Sequence, residues 1–149
     1  MVKIRMMKSL WLGLLLLLTI SGQAQKSEVQ QTIQTFFEGF HAKDTLKMKS
    51  TCSEKLVLQS ISESAKGNKF STETPKEFYI AMATIPAEMQ FEERILSYNI
   101  QIDGMMAHAW TPYEFYINGK LSHKGVNAFT LFKGAEGWKI IHLIDTRRK

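Results

Sequence analysis

The sequence predicts an α+β domain in which N-terminal helices pack on an antiparallel sheet, and three observations carry that expectation. An apolar stripe at Val29, Ile33, Phe36, Phe37 and Phe40 follows the helical spacing i, i+4, i+7, i+8, i+11. The stretch from Met105 to Arg147 is three runs of strand-type residues punctuated by Asn118-Gly119 and by Gly134 to Gly137. An Asn-Gly pair between alternating apolar residues signals a hairpin, because both central residues of a type I′ turn need positive φ. Finally, no linker, repeat or low-complexity segment divides the chain.

The first 24 residues read as a secretory leader. Lys3, Arg5 and Lys8 form a positive start, Leu10 to Ile20 an 11-residue apolar run, and Gly22-Gln23-Ala24 a small-residue cleavage site. The run is shorter than the roughly 20 apolar residues of a spanning helix, and no cysteine follows it to carry a lipid. Cleavage after Ala24 would leave a secreted or periplasmic domain over residues 25–149 with no stable membrane anchor. Taking 24 from 149 leaves 125 residues, enough for one core. Cys52 is the only cysteine, so no intrachain disulfide forms, and it reads as a small buried hydrophobe. Without the leader the 19 basic residues fall to 16 against 14 acids, so the net charge drops from +5 to about +2. A nucleic-acid partner is therefore not expected, and Arg147-Arg148-Lys149 reads as a solvated tail.

Each element follows in order. Ser27 is the expected N-cap of a helix from Glu28 to Ala42, with Glu28 favoured by the macrodipole and Gly39 a local weakness. Lys43-Asp44 starts a shorter helix through Met48 and Cys52. Leu56 to Ile61 is a short strand, and the polar stretch Ser62 to Thr74 is expected to be a mobile loop. Thr74-Pro75-Lys76-Glu77 opens a third helix with a capping box, buries Phe78, Met82 and Ile85, and stops before Pro86. The sheet begins at Phe91 with one strand through Ile102.

Register decides which residues share a face, because a one-residue slip moves every side chain to the other side. A three-residue loop Ile102-Asp103-Gly104 would put Leu96, Tyr98 and Ile100 with Met106, His108 and Trp110. A two-residue loop would place Ser97 and Asn99 there instead. A two-residue turn at Asn118-Gly119 pairs Ile117 with Lys120, and counting back sets Glu114 opposite His123, Trp110 opposite Asn127 and His108 opposite Phe129. Extending through Gly134 to Gly137 collects His108, Trp110, Glu114, Tyr116, His123, Asn127, Phe129, Leu131, Trp138, Ile140, His142, Ile144 and Thr146 on the expected core and pocket face. Asp145 and Arg147 fall on the outer face. Pro112 cannot donate to a ladder, and a bulge there would bend the sheet and could invert the alternation on one side of it.

The order helix, short helix, strand, helix and then a sheet ending in a Gly-Trp-Lys-Ile strand resembles the nuclear transport factor 2-like superfamily, which includes polyketide-cyclase-like and ketosteroid-isomerase-like proteins. The resemblance spans nearly all of residues 25–149 and is strongest in Phe36 to Asp44 (FFEGFHAKD) and Ala135 to His142 (AEGWKIIH). It implies a cone-like α+β barrel, a strongly curved sheet with helices closing one end over an apolar pocket, and homodimers formed through the outer sheet face. It also implies a function range from isomerases, dehydratases and epoxide hydrolases to domains without a reaction.

Glu114 and His123 are the sharpest catalytic candidates, since opposed residues on an antiparallel pair have Cβ atoms about 4.5–5.5 Å apart. A carboxylate there would favour the charged imidazole and hold its ring for acid–base work. The alternative is a cross-strand ion pair near the turn. His108 and His142 stand roughly 9.6 Å apart, too wide for one metal, and no third ligand has metal spacing, so neither metal nor cofactor is expected. Tyr98, Tyr116, Asn127 and Thr146 could hydrogen-bond a ligand, while Trp110, Trp138, Phe129 and Phe40 could line its pocket. His41 and Asp44 could reach the pocket mouth, although helix capping also accounts for Asp44. The expected function is binding of a small, largely apolar molecule, with an acid–base enzyme and a ligand-free dimerising module as alternatives.

Overall fold

The computed structural model describes the backbone of residues 2–149 and the side chains of residues 22–149. The expected leader, residues 1–24, lies up to position 21 outside the residues whose side chains are described. Helix α1 (Val2–Ala42) carries the predicted stripe, and Val29, Ile33, Phe36 and Phe37 are buried. It runs through Ser27, which therefore does not cap it as expected, because Ala24-Gln25-Lys26 offers no helix breaker. Asp44 caps α2 (Thr45–Ser50), its carboxylate accepting from the N–H of Leu46 at 3.1 Å and Lys47 at 3.0 Å. That helix ends before Cys52, which opens β1 (Cys52–Ser64).

The polar stretch expected to be a loop instead folds back on β1 as β2 (Gly67–Glu73). Every residue of this edge strand is exposed, so no apolar alternation marks it in the sequence. Helix α3 (Pro75–Thr84) has the predicted capping box: Thr74 Oγ1 accepts from the Glu77 N–H at 3.2 Å, and the Glu77 carboxylate accepts from the Thr74 N–H at 2.9 Å.

The single strand expected from Phe91 is broken at 96–98 into β3 (Phe91–Ile95) and β4 (Asn99–Asp103), both paired to β5 (Met106–Ile117). With β6 (Lys120–Gly134) and β7 (Gly137–Arg148) they complete an unclosed sheet of order β2-β1-β7-β6-β5-β3. Only β1 and β7 are parallel among these described pairs.

Three registers depart from expectation, and they decide what faces the helices. The β4–β5 loop has two residues, Gly104 and Met105, with Asp103 opposite Met106. Ile100 and Ile102 therefore join Ala107 and Ala109, while Met106, His108 and Trp110 turn outward. Asn118 (φ 50°) and Gly119 (φ 76°) make the predicted turn with Ile117 opposite Lys120. Just beyond it Ser122 is an extra residue, so Tyr116 faces Leu121 but Phe115 faces His123. The bulge thus lies here rather than at Pro112. On β7, Ile141 is a second extra residue between the pairs Leu131–Ile140 and Thr130–His142. Each bulge inverts the alternation beyond it.

The result is a core in which the buried side chains of Ala107 and Ala109 sit opposite those of Leu131 and Phe129. Small residues on one strand leave room for α1: the Phe36 and Phe37 rings meet Phe129 edge-on, with centroids 6.4 and 6.0 Å away.

Candidate functional site

Beyond Ala107 and Ala109 the inner face turns polar. The same alternation that carries Ala107 and Ala109 continues through Thr111, Tyr113 and Phe115 on β5, while β6 contributes Asn127, Gly125 and His123. Past its bulge β7 contributes Leu143, Asp145 and Arg147, and β3 contributes Phe91 and Glu93.

Glu93 is the most perturbed acid of this zone. Asn127, only 3% exposed, donates from Nδ2 to Glu93 Oε1 at 2.6 Å. The backbone N–H of Glu93 donates to His41 Nε2 at 3.0 Å, which ties the end of α1 to β3. Burial pushes the Glu93 carboxyl up to about 7, with the charge of Asp145 adding to the effect and the Asn127 bond and Arg147 opposing it. Burial likewise lowers the pKa of His41, in keeping with the neutral ring that the bond from Glu93 requires.

Asn127 stands opposite Asp145 in the ladder. Arg147 holds that carboxylate from Nε at 2.7 Å and from Nη2 at 3.5 Å; the Asp145 side chain is 13% exposed and that of Arg147 55%. Tyr113 reaches the same place from β5, its hydroxyl donating to the Thr146 carbonyl at 2.9 Å and standing 3.2 Å from Asp145 Oδ2. It crosses β6 over Gly125, where a Cβ would lie 1.7 Å from the Thr146 oxygen and 2.9 Å from the Tyr113 ring. Only glycine permits that approach. Burial, then the charges of Asp145 and Glu93, hold the Tyr113 phenol far above its ordinary range, so it remains a neutral donor. His123 stacks on Phe115 at 4.8 Å and meets Tyr113 edge-on at 5.8 Å. Burial and the Arg147 charge lower its pKa, with Asp145 opposing.

Asp145 and Arg147 also line an open cleft of about 500 Å³ between β7, the β1–β2 hairpin and α3. Leu58, Leu143 and Phe78 supply its apolar surface, and Ser60, Ser62, Ser71 and Glu73 much of its polar surface. Asn127 and Glu93 stand behind this cleft rather than in its lining: Asp145, which lines it, is the ladder partner of Asn127, whose amide holds the Glu93 carboxyl. Among the described residues no group of three His, Cys, Asp or Glu is placed to hold a metal ion.

The sequence-predicted residues fare unevenly. Glu114 does not face His123, because the Ser122 bulge sets it opposite Lys124 on the outer face. There it accepts from Lys124 Nζ and from the Tyr116 hydroxyl, both at 2.8 Å, and these partners lower its pKa. Tyr116 lies beneath the Arg94 guanidinium, 4.2 Å from its ring centroid. His108 and Trp110 are outward, Trp110 48% exposed. His142 is also outward, its Nε2 paired with Gln59 Oε1 at 3.0 Å, and Thr146 Oγ1 accepts from the Val126 N–H at 3.1 Å. Phe129 is fully buried and Tyr98 packs against the core.

Of the predicted residues His123, Asn127 and His41 stand at the polar end, His41 through its bond from Glu93, while Asp44 is engaged as the α2 cap; Glu93, Tyr113, Asp145 and Arg147, which were not proposed for the site, join them. Asp145 and Arg147 were expected on the outer face and were turned inward by the Ile141 bulge. Glu93 had a readable signal: in Phe91-Glu92-Glu93-Arg94-Ile95 it occupies the apolar parity.

No protein-family profile matches the chain, and no curated protein matches it by sequence. Solved structures do match its shape. A protein of Streptomyces avermitilis from the nuclear transport factor 2-like family, proposed to be a dehydratase, superposes with a TM-score of 0.67 at 13% identity, covering 86% of this chain and 99% of that one. A nuclear transport factor 2-like protein from Cytophaga hutchinsonii gives 0.64 at 13% identity, covering 80% and 95%. A protein of unknown function from Mycobacterium tuberculosis gives 0.70 at 9% identity, covering 88% and 76%.

Proposed function

We propose that this chain, whose fold is that of the nuclear transport factor 2-like superfamily, is an acid–base enzyme of the isomerase, dehydratase or hydrolase kind. It acts on a small molecule seated in the cleft, with Glu93 as the proton carrier. The observation that supports this reading is the Glu93 carboxyl itself, bonded to Asn127 and held near 7, where it can both take and give a proton at neutral pH. Asn127 orients it, neutral Tyr113 fixes the backbone beneath, and Arg147 offers positive charge where negative charge develops. The apolar part of the molecule rests on Leu58, Leu143 and Phe78. The proposed dehydratase among the structural neighbours agrees with chemistry of this class.

The test is a screen of carbon acids, hydroxy compounds and epoxides, followed by pH–rate profiles. Turnover should show an inflection near 7 that disappears in Glu93→Gln together with at least a hundredfold of the rate. Unchanged turnover in that variant would remove Glu93 from the mechanism.

The leader-like start supports action outside the cytoplasm, and exposed Met106, Trp110 and Phe132 on the outer face support a homodimer formed there. Light scattering on Trp110→Arg checks the second point: a wild-type chain that already runs as a monomer ends it.

A further inference from the structure

The acid–base reading leaves one lip of the cleft without a role. On its inner face three rungs cross β2, β1 and β7. The register sets Lys69 beside Ser62 and Ser62 beside Arg147; the next rung is Ser71, Ser60 and Asp145; the third is Glu73, Leu58 and Leu143. Residues of all three line the cleft. Adjacent strands lie about 4.8 Å apart, so the Lys69 and Arg147 backbones stand about 10 Å apart with the Ser62 hydroxyl between them. Both side chains are long enough to meet over that hydroxyl. Asp145 holds the guanidinium by Nε and Nη2, and Nη1 has no protein partner among the described residues. Among the described residues Lys69 makes no ion pair or side-chain hydrogen bond there either.

The opposite end of the cleft carries Glu73 and Glu77. Burial and the charge of Glu77 raise the pKa of Glu73, with the charge of Arg147 opposing, while Glu77 is engaged in capping Thr74. The cleft therefore has a basic lip, a middle of two hydroxyls and the Arg147-paired Asp145 carboxylate, and an acidic far end.

We propose that the lip at Lys69, Ser62 and Arg147 is an anion subsite, so that the molecule processed is an organic anion carrying a carboxylate or a phosphate. The inference rests on the reading of Glu93 and names the class of its substrate. An anion at the far end would be repelled by Glu73 and Glu77, so the polarity admits one orientation. Residues two apart along a strand are separated by about 6.8 Å. A head group at the Arg147 rung thus places the carbon about five bonds away at the rung of Asp145 and Asn127, the residue whose amide holds the Glu93 carboxyl.

Titration calorimetry at low salt with hexanoate, hexyl phosphate, hexanamide and inorganic phosphate tests this. Hexanoate or hexyl phosphate should bind at least tenfold more tightly than hexanamide, and the stronger of the two identifies the head group. Lys69→Gln, a change on an exposed strand, should weaken the preferred anion five- to tenfold and leave hexanamide unchanged. Hexanamide equalling both anions, no response to Lys69→Gln, or no binding of any organic probe would overturn the proposal. Inorganic phosphate binding as tightly as hexyl phosphate would also overturn it, since the lip would then hold ions without an organic body. Glu93→Gln separates the two claims: it should lower turnover at least a hundredfold and preserve the anion preference. Loss of that preference in the wild type refutes the subsite alone, and an ordinary pKa for Glu93 refutes the proton carrier alone.

Discussion

Glu93→Gln should make the protein more stable above neutral pH, and by a calculable amount. The carboxyl sits at about 7 in the fold against an ordinary 4.5. A group whose folded pKa is raised contributes stability that is fully present below the unfolded pKa and is lost as pH rises through the folded one. For Glu93 the loss therefore begins near pH 4.5 and is complete a little above 7. The gap of about two and a half pH units corresponds to about 3 kcal/mol. Glutamine keeps an oxygen able to accept from Asn127 and has no charge to desolvate, so it escapes that loss. Urea unfolding of wild type and variant at fixed ionic strength from pH 5 to 8.5 reads the difference directly. His41 and His123 titrate in both proteins and largely cancel. The variant should be close to wild type at pH 5 and about 3 kcal/mol more stable by pH 8. Parallel stability curves across the range would refute the burial argument and, with it, the case for Glu93 as a proton carrier.

Other perturbations separate site from scaffold. Gly125→Ala would push a methyl group into the Thr146 carbonyl at 1.7 Å, so β6 and β7 must part and stability should fall by at least 2 kcal/mol; denaturant midpoints check this. Phe129→Ala should cost about 3–5 kcal/mol through the cavity it leaves under α1, with ligand affinity of the surviving fold little changed. Glu114→Gln breaks only an outer-face pair with Lys124, so the thermal midpoint and turnover should both stay near wild type; a large loss of turnover would restore Glu114 to the chemistry. Deleting Ser122 removes the extra residue of the first bulge, and amide exchange should show fraying at the Asn118-Gly119 turn while Ala107 and Ala109 stay protected.

What could be read from the sequence was whatever a local pattern fixes. The α1 stripe, the Thr74–Glu77 box, the Asp44 cap region and the Asn118-Gly119 turn each depend on residues within one or two turns of each other, and each formed. β2 was missed because both of its faces meet solvent, so its seven residues carry no alternation. The candidate site failed for a different cause. A bulge adds one unpaired residue without any required side chain, and neither Ser122 nor Ile141 differs in type from its neighbours in a way that marks it. One uncounted residue at Ser122 moved Glu114, Trp110 and His108 outward and brought Tyr113 and Phe115 inward. Ile141 did the same for His142 and Asp145. Asn127 and His123 kept the inner face because the extra residue lies on their own strand between them and the turn, so the inversion fell on their β5 partners.

The energetics explain why the chain accepts the Ser122 bulge over the regular ladder. Without it, β5 would offer Met106, His108 and Trp110 to α1 where Ala107 and Ala109 now lie. Inserting large side chains into a filled layer costs about 1–3 kcal/mol at each position, and three positions are involved. Tyr113 would leave its buried place as well, forfeiting about 1.5–3 kcal/mol of burial and its bond to Thr146. Against this, a bulge leaves a ladder group or two to water, about 1 kcal/mol each. The regular register loses by several kcal/mol. The same imbalance predicts the outcome of deleting Ser122: the missing residue is taken from the exposed turn, where a pair of hairpin bonds is at stake, and not from the face that packs on α1. The bulge that hides the site from sequence counting is thus a consequence of Ala107 and Ala109 standing on the buried face beside Leu131 and Phe129, whose ring meets Phe36 and Phe37, and the polar end at Tyr113, Asn127 and Asp145 is positioned by the packing of the apolar end.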